Sequence, residues 1–256
     1  MLELLALIAV FFLTSVISVV TGSTSLITVP ALLQFGIDPR VAVATNMFAL
    51  TCMSLGGTLS FMGSKSIDRG RLPLLAVLTL ISSIIGARLV LVVPAKSMPP
   101  LIAVFMLTIA GFSLIKQEAG MTQDETAPSR GMEVGGYVVT FLLGFYGGVF
   151  SGGYVTLLTA AYVALFGVTY IRAVATTKVI NIVSSLVATI VFALLELIDY
   201  QLAILLGVTM FLGATLGGYA ALRMKNVWLQ RVFLLTVIVL ALKTLLYDVA
   251  WKMLQA

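Results

Sequence analysis

The stretch Ala42-Val43-Ala44-Thr45 recurs 131 residues later in the chain as Ala173-Val174-Ala175-Thr176. The same shift superimposes other motifs of the two halves: Gly22 on Gly153, Phe35-Gly36 on Phe166-Gly167, Ile67-Asp68 on Ile198-Asp199, and Gly86 on Gly217. Most of the residues between these motifs are apolar. Two copies of one hydrophobic unit are typical of membrane transporters, whose substrate site lies where the copies meet.

The composition places the chain in a lipid bilayer. Hydrophobic residues make up 61% of the sequence and charged residues 10%, whereas about a quarter of the residues of a soluble domain are charged. A net charge of +5 does not indicate nucleic acid here, because basic residues of membrane proteins collect on cytoplasmic loops. We expect a multi-pass protein of the cell membrane, inner or plasma.

The side chains of most enzymes and metal sites are missing from the sequence. The chain has no histidine and a single cysteine, Cys52, which lies within an apolar run. Histidine is the commonest general base and metal ligand, and a lone cysteine forms neither a disulfide nor a redox pair within the chain. We therefore expect no enzymatic activity, no metal site and no cofactor.

The apolar segments fall into two sets of five. The first set runs at about 2–21, 24–35, 41–62, 72–94 and 98–115, and the second at about 134–150, 154–166, 172–195, 200–222 and 228–250. The polar stretch between the two sets reads as a loop. The predicted organisation is a first membrane repeat at 1–116, a cytoplasmic loop at 117–133 and a second membrane repeat at 134–256.

The second segment of each set is too short to cross a membrane, which takes about 20 helical residues. Each short segment follows a break rich in glycine and hydroxyl residues. The breaks are Thr21-Gly22-Ser23-Thr24-Ser25 and Gly147-Gly148-Val149-Phe150-Ser151-Gly152-Gly153. Each break is predicted to be the tip of a broken helical hairpin.

Two topologies fit these segments. Either each hairpin is re-entrant, so that each copy crosses three times and the copies are inverted, or each hairpin crosses once, so that each copy crosses four times and the copies are parallel. Under the inverted topology one face collects most of the basic residues: Lys65, Arg69, Arg71, Lys116, Arg130, Arg172, Arg223, Lys225 and Arg231. This positive-inside bias favours an all-α polytopic membrane protein of two inverted repeats, each a re-entrant or broken helical hairpin plus three transmembrane helices.

The two hairpin tips are candidate anion sites. A helix that begins within the membrane directs unpaired amides and the positive end of its dipole at whatever lies before it. Glycine lets a ligand approach the backbone, and nearby hydroxyls add hydrogen-bond donors. The candidate residues are Gly22, Ser23, Thr24 and Ser25 at the first tip, and Ser151, Gly152, Gly153, Tyr154 and Thr156 at the second.

The helix after each hairpin carries the remaining candidates. In the second copy these are Thr176, Thr177, Lys178 and Asn181, and in the first copy Thr45 and Asn46. Lys178 and Asn181 are spaced i, i+3 and share a helix face. In the first copy Met47 stands at the position equivalent to Lys178. The predicted substrate-binding site therefore holds one fixed cation. Snorkelling of Lys178 to the cytoplasmic surface is the alternative.

Several of these motifs resemble the sulfite exporter TauE/SafE family. The resemblance lies in Gly22-Ser-Thr-Ser-Leu-Ile-Thr-Val-Pro30, in Gly152-Gly-Tyr-Val-Thr156, and in Arg172-Ala-Val-Ala-Thr176-Thr-Lys178. It covers both halves, although Ser23-Thr24-Ser25 stands where members often have several glycines. The resemblance implies a membrane transporter for sulfur-containing anions such as sulfite, sulfoacetate and other sulfonates.

The favoured hypothesis is a secondary transporter that holds a small sulfur-containing anion between the two tips near the bilayer midplane. The alternatives are a transporter of another small organic or inorganic anion and a non-transporting membrane subunit. The expected partners are the anionic substrate and the lipid bilayer, not nucleic acid. The sequence does not choose between a monomer and a homodimer, between import and export, or among coupling ions.

Overall fold

The computed structural model describes residues 2–22, 24–62, 66–92 and 128–223, and every regular element within them is a helix. The helices are α1 Leu2–Thr21, α2 Ser25–Gln34, α3 Pro39–Met62, α4 Leu72–Val92, α5 Arg130–Val149, α6 Tyr154–Phe166, α7 Tyr170–Ala193 and α8 Tyr200–Arg223. The all-α prediction is thereby confirmed. The predicted segments 98–115 and 228–250 lie outside the described residues, and α5 begins within the stretch assigned to the loop.

Five of these helices, α3, α4, α5, α7 and α8, are long and apolar enough to cross a membrane. The outer face of α4 shows what surrounds them: Val77, Ile81 and Ile85 follow one another at i, i+4 spacing and are 54%, 46% and 49% exposed. A ridge of large apolar side chains is unfavourable in water and favourable in lipid. The chain is a multi-pass membrane protein, as predicted.

The helices α3 and α7 form the centre of the bundle. In the apolar window of each, 78% of the residues of α3 and 61% of those of α7 are buried, against 39% for α4 and α5. The outer helices pair across the two copies, since α1 packs on α8 and α4 packs on α5. Each outer pair therefore joins a helix from the first half to one from the second.

Hydrogen bonds along α3 and α7 show how these two helices are oriented. Thr45 Oγ1 accepts from Asp199 N (3.2 Å), the Thr51 and Thr189 hydroxyls lie 3.3 Å apart, Asn181 Nδ2 donates to Ser54 Oγ (2.6 Å), and Thr176 Oγ1 accepts from Asp68 N (2.9 Å). Residue numbers rise on one helix as they fall on the other, so α3 and α7 are antiparallel. The helices α3 and α7 are the same element of the two copies, and inverted repeats require such equivalent helices to run antiparallel.

Two of these hydrogen bonds are equivalent under the repeat. Thr45 corresponds to Thr176, and Asp199 corresponds to Asp68. Each threonine therefore holds the loop at the end of the other copy's central helix, at opposite ends of the bundle. The side of the membrane on which each end lies stays a prediction.

A group of charged side chains, called here the Asp68 cluster, closes one end of the bundle. Arg71 binds Asp68 at 2.7 Å and Glu133 at 3.1 Å, and Arg172 lies 3.6 Å from the other Asp68 oxygen. Burial alone would lower the pKa of Arg71, but the hydrogen bonds and charges of Asp68 and Glu133 outweigh it and raise that pKa. The cluster ties the α3–α4 turn to α5 and α7.

At the other end of the bundle, Asp199 is the residue equivalent to Asp68. Asp199 accepts from Leu202 N at 3.1 Å and is the N-cap of α8. Asp68 has the same place in its own copy, but its carboxylate binds the two arginines instead of capping α4. Leu202 stands at the position equivalent to Arg71, so the Arg71–Asp68 ion pair has no counterpart between the equivalent residues of the second copy.

We expect Arg71→Leu to lower the free energy of unfolding by about 1–2 kcal/mol, because two charge-assisted hydrogen bonds are lost, one to the buried Asp68 and one to the partly exposed Glu133. Arg69, an exposed arginine in the same turn, supplies the control, and Arg69→Leu should change stability by less than about 0.5 kcal/mol. The measurement is the thermal unfolding midpoint of each variant in detergent. Equal midpoints for both variants would show that the Asp68 cluster contributes nothing.

The inverted topology predicts which side of the membrane each exposed turn faces. Single cysteines are placed in a Cys52→Ala background at exposed positions: Arg69→Cys, Arg223→Cys and Gln34→Cys. A membrane-impermeant maleimide should label Gln34→Cys in intact cells, and the other two only after permeabilisation. Labelling of Arg69→Cys and Arg223→Cys from opposite sides would instead indicate parallel copies.

Candidate functional site

Each helix break contains a glycine in the left-handed backbone conformation. Gly22 has φ of 72° and its repeat equivalent Gly153 has φ of 74°, a region that L side chains rarely adopt. Gly36 and Gly167, which are also equivalent, end the short helices α2 and α6 in the same way (φ 76° and 63°). The sequence thus builds the same short helical arm twice, between paired glycines.

The two breaks contact each other at the centre of the bundle. Thr156 Oγ1 donates to Thr21 O at 2.6 Å. A Cβ at Gly22 would lie 2.8 Å from both Thr156 N and Val155 Cβ, so the backbones approach more closely than any side chain allows. The predicted meeting of the two tips is therefore seen in the described residues.

A narrow, collapsed cavity lies beside this contact. It is lined by both breaks, α3, α6 and α7: Gly22, Thr24, Ser25, Leu50, Met53, Ser151, Val155, Lys178 and Asn181. Its walls are too close to admit a water-sized sphere in this conformation. The walls of the cavity must therefore separate before a ligand enters.

Lys178 is the charged residue of this lining. Its side chain is 1% exposed, and Nζ donates to Ser18 O in the last turn of α1 at 3.0 Å. The ion pairs among the described residues involve Arg71 and Arg172, and Lys178 takes part in none of them. Lys178 therefore points inward from mid-helix, and the alternative of snorkelling to the surface is wrong.

Asn181, one turn after Lys178, offers a second polar group. Its Nδ2 donates to Ser54 Oγ, while Oδ1 is buried and has no hydrogen-bond partner among the described residues. Rotating the amide by 180° would let Oδ1 accept from the Ser54 hydroxyl and turn the NH₂ group to the cavity, an exchange that leaves the side-chain outline unchanged. In that orientation Asn181 is a donor for a ligand.

Six of the predicted site residues line the cavity: Gly22, Thr24, Ser25, Ser151, Lys178 and Asn181. Ser23 lies outside the described residues. Gly152 and Gly153 lie in the second break and Tyr154 and Thr156 in the first turn of α6, and none of the four lines the cavity. Whether any of them binds a substrate stays a prediction.

Four of the predicted residues instead hold helices together. Asn46 receives a hydrogen bond from Thr28 (2.7 Å) and donates one to Ser25 Oγ (2.9 Å), so it fixes α2 on α3. Thr177 lies 3.1 Å from the Thr159 hydroxyl and fixes α6 on α7 in the equivalent way. Thr45 and Thr176 bind the loops at the two ends of the bundle, as described above.

The sequence interpretation missed three lining residues, Leu50, Met53 and Val155. All three are apolar and lie in apolar helices, so composition does not separate them from packing residues. The repeat held a usable signal, because Leu50 is the equivalent of Asn181 and Val155 is the equivalent of Thr24. Among the described residues no group of three histidine, cysteine or acidic side chains could hold a metal ion.

Comparisons with known proteins agree with this architecture. The chain is 26% identical over 160 residues to a "Probable membrane transporter protein" of Haemophilus influenzae, covering 62% of each chain. It is 28% identical over 141 residues to the "Probable membrane transporter protein YfcA" of Escherichia coli K12, covering 54% of this chain and 52% of the relative. A "Probable membrane transporter protein ORF9" of Sinorhizobium sp is 29% identical over 147 residues, 56% of this chain and 54% of the relative.

These matches span about half to just under two thirds of the relatives' length. No solved structure matches the chain. The family model described as "Sulfite exporter TauE/SafE" matches residues 7–244, which is nearly the whole chain. The resemblance seen in the motifs is thereby confirmed, and the chain belongs to the sulfite exporter TauE/SafE family.

Proposed function

We propose that the chain is a secondary transporter of small sulfur-containing anions, with sulfite, sulfoacetate and other organosulfonates as its substrates. The anion is held between the two helix breaks near the middle of the membrane. The observation that carries this proposal is the central cavity, which both breaks and the buried Lys178 line together. The family description and the names of the relatives support the same conclusion.

The charge of Lys178 supports an anionic ligand. An ammonium group has three N–H donors, and the described contacts use one of them, to Ser18 O. A buried charge without a counter-ion is costly. An anion in the cavity would supply both the missing charge and the missing acceptors.

The N-terminal ends of α2 and α6 also favour a negatively charged ligand. The N-cap residue of α2, Thr24, makes no side-chain hydrogen bond to the first amides of its helix, and Gly153, the N-cap of α6, has no side chain to do so. Helix N-termini carry partial positive charge and bind oxyanions through their amides. Thr24 and Ser25 place hydroxyl groups in the lining beside the first of these ends.

The walls of the cavity differ in polarity. The α7 wall presents Lys178 and Asn181, whereas the α3 wall presents Leu50 and Met53. Such a lining suits an anion with oxygens on one side and carbon on the other. Organosulfonates, which join a trigonal set of oxygens to a carbon chain, have this shape.

The arrangement of the helices supports transport rather than permanent binding. The equivalent helices α3 and α7 are antiparallel, so exchanging the conformations of the two copies would exchange the open side of the cavity. The closed walls of the cavity fit an occluded conformation between the two open ones. A non-transporting subunit would have no use for two broken helices that meet at a buried cation.

We expect Lys178→Met to reduce uptake of labelled sulfite and sulfoacetate into proteoliposomes by roughly 30-fold or more, since the buried charge partner of the anion is lost. Methionine is the residue at the equivalent position in the first copy. The Ser18 carbonyl still accepts from Gly22 N at 2.8 Å, so the fold is retained. Arg88→Met, which changes an exposed arginine of α4, should leave uptake unchanged.

Thermal unfolding of both variants in detergent reports whether each remains folded. Undiminished uptake by a folded Lys178→Met protein would remove Lys178 from the substrate site.

The contact between the two breaks predicts a difference between two glycine variants. Gly22→Ala and Gly36→Ala both place alanine at positive φ, at a cost of about 1–2 kcal/mol. A Cβ at Gly36 meets nothing within 4 Å, whereas one at Gly22 strikes the α6 backbone. We expect Gly22→Ala to abolish anion-dependent thermal stabilisation and Gly36→Ala to preserve it.

Sulfite and sulfoacetate are the ligands for this thermal-shift measurement. Equal stabilisation of the two variants would show that the close approach of the breaks does not shape the site.

A further inference from the structure

We propose that Lys178 also carries a proton across the membrane, so that each anion is transported together with one proton. This inference rests on the proposed anion transport, because the proton is bound and released with the anion. It assigns the coupling ion, which the architecture and the family membership leave open.

The first step of the argument is the state of the empty transporter. A carrier that produces net uptake by alternating between two sides must also return without its substrate. During that return Lys178 stays buried, with the Ser18 carbonyl as its described polar contact. An uncharged amine can accept this environment, whereas an ammonium group loses its hydration and gains no counter-charge.

The second step is that, in the part of the chain that the structure describes, no side chain beside Lys178 carries a charge that could replace that of the anion. The described residues around Lys178 come from α1, α3, α6, α7 and both breaks: Ser18, Gly22, Thr24, Ser25, Leu50, Met53, Gly57, Ser151, Val155 and Asn181. None of these side chains carries a charge or titrates near neutral pH. The Asp68 cluster holds its own carboxylates in pairs with arginines at one end of the bundle.

The cycle that follows balances in atoms and charge. On one side the Lys178 amine takes a proton from water, and the ammonium group then binds the anion. After the walls open to the other side, the anion leaves and the ammonium group returns its proton to water there. The empty carrier reorients with a neutral amine, so one proton and one anion have crossed in the same direction.

This coupling has a consequence that an uncoupled carrier lacks. A proton gradient would drive the anion toward the alkaline side, where it would accumulate above its equilibrium concentration. If Lys178 stayed charged throughout, the pH gradient would have no effect on an anion that carries no proton itself. Both acid groups of sulfoacetate remain ionised near neutral pH, whereas bisulfite carries its own proton, so sulfoacetate is the informative probe.

The test uses the purified full chain in proteoliposomes with a trapped pH indicator and labelled sulfoacetate. With an alkaline interior, the wild-type protein should accumulate sulfoacetate and acidify the interior by about one proton per anion. Lys178→Arg keeps a cation that does not deprotonate in proteins. Lys178→Arg should therefore still exchange bound sulfoacetate but lose net uptake, which requires the empty carrier to return with an uncharged side chain. The ratio of exchange to net uptake should rise at least roughly tenfold in Lys178→Arg and stay unchanged in Arg88→Lys.

Each outcome bears on the inference in a defined way. Sulfoacetate uptake by the wild-type protein without proton movement overturns it and leaves the proposed function intact. Proton-coupled net uptake by Lys178→Arg, or an equal loss of exchange and net uptake, also overturns it, since a merely structural lysine would affect both fluxes alike. If the wild-type protein moves neither sulfoacetate nor sulfite, the proposed function fails and the inference fails with it.

Discussion

The polar contact between α3 and α7 is the interaction on which the rest of the structure depends. In lipid, apolar side chains gain little by leaving their surroundings, so helices are held by close packing and by hydrogen bonds between side chains. Three pairs supply these bonds along the centre of the bundle: Thr45 with the Asp199 amide, Thr51 with Thr189, and Ser54 with Asn181. They also fix the antiparallel register of the two copies, because shifting either helix would leave buried polar groups without partners.

That register places the two helix breaks side by side. Asn46 holds α2 on α3, and Thr177 holds α6 on α7, so each short arm follows its own central helix. When the central helices are antiparallel and in contact, both arms begin at the same level. The cavity is therefore a product of the pairing of the copies and not of either copy alone.

The two helix breaks and the inward position of Lys178 could be predicted from the sequence. Glycine-rich breaks before short apolar segments, repeated at a fixed interval, have few causes in a membrane protein, and Lys178 in mid-helix needs an interior partner. The roles of Thr45 and Thr176 could not be assigned, because a hydroxyl that binds a loop amide and one that binds a ligand look the same in a sequence. Met53 could not be found at all, since a cavity wall and a packed core use the same apolar side chains, and Leu50 could be found only through its repeat equivalent, Asn181.

The two copies share a backbone plan but differ in the side chains that matter for transport. Lys178 and Asn181 on α7 face Leu50 and Met53 across the cavity, and Met47 replaces the lysine in the first copy. The ends of the bundle differ as well, since Arg71 pairs with Asp68 at one end while Leu202 stands at the matching place at the other. A symmetric scaffold would make the two open states equal in energy. The substitutions at these positions are therefore what give the cavity one charge, one polar wall and two ends that close by different interactions.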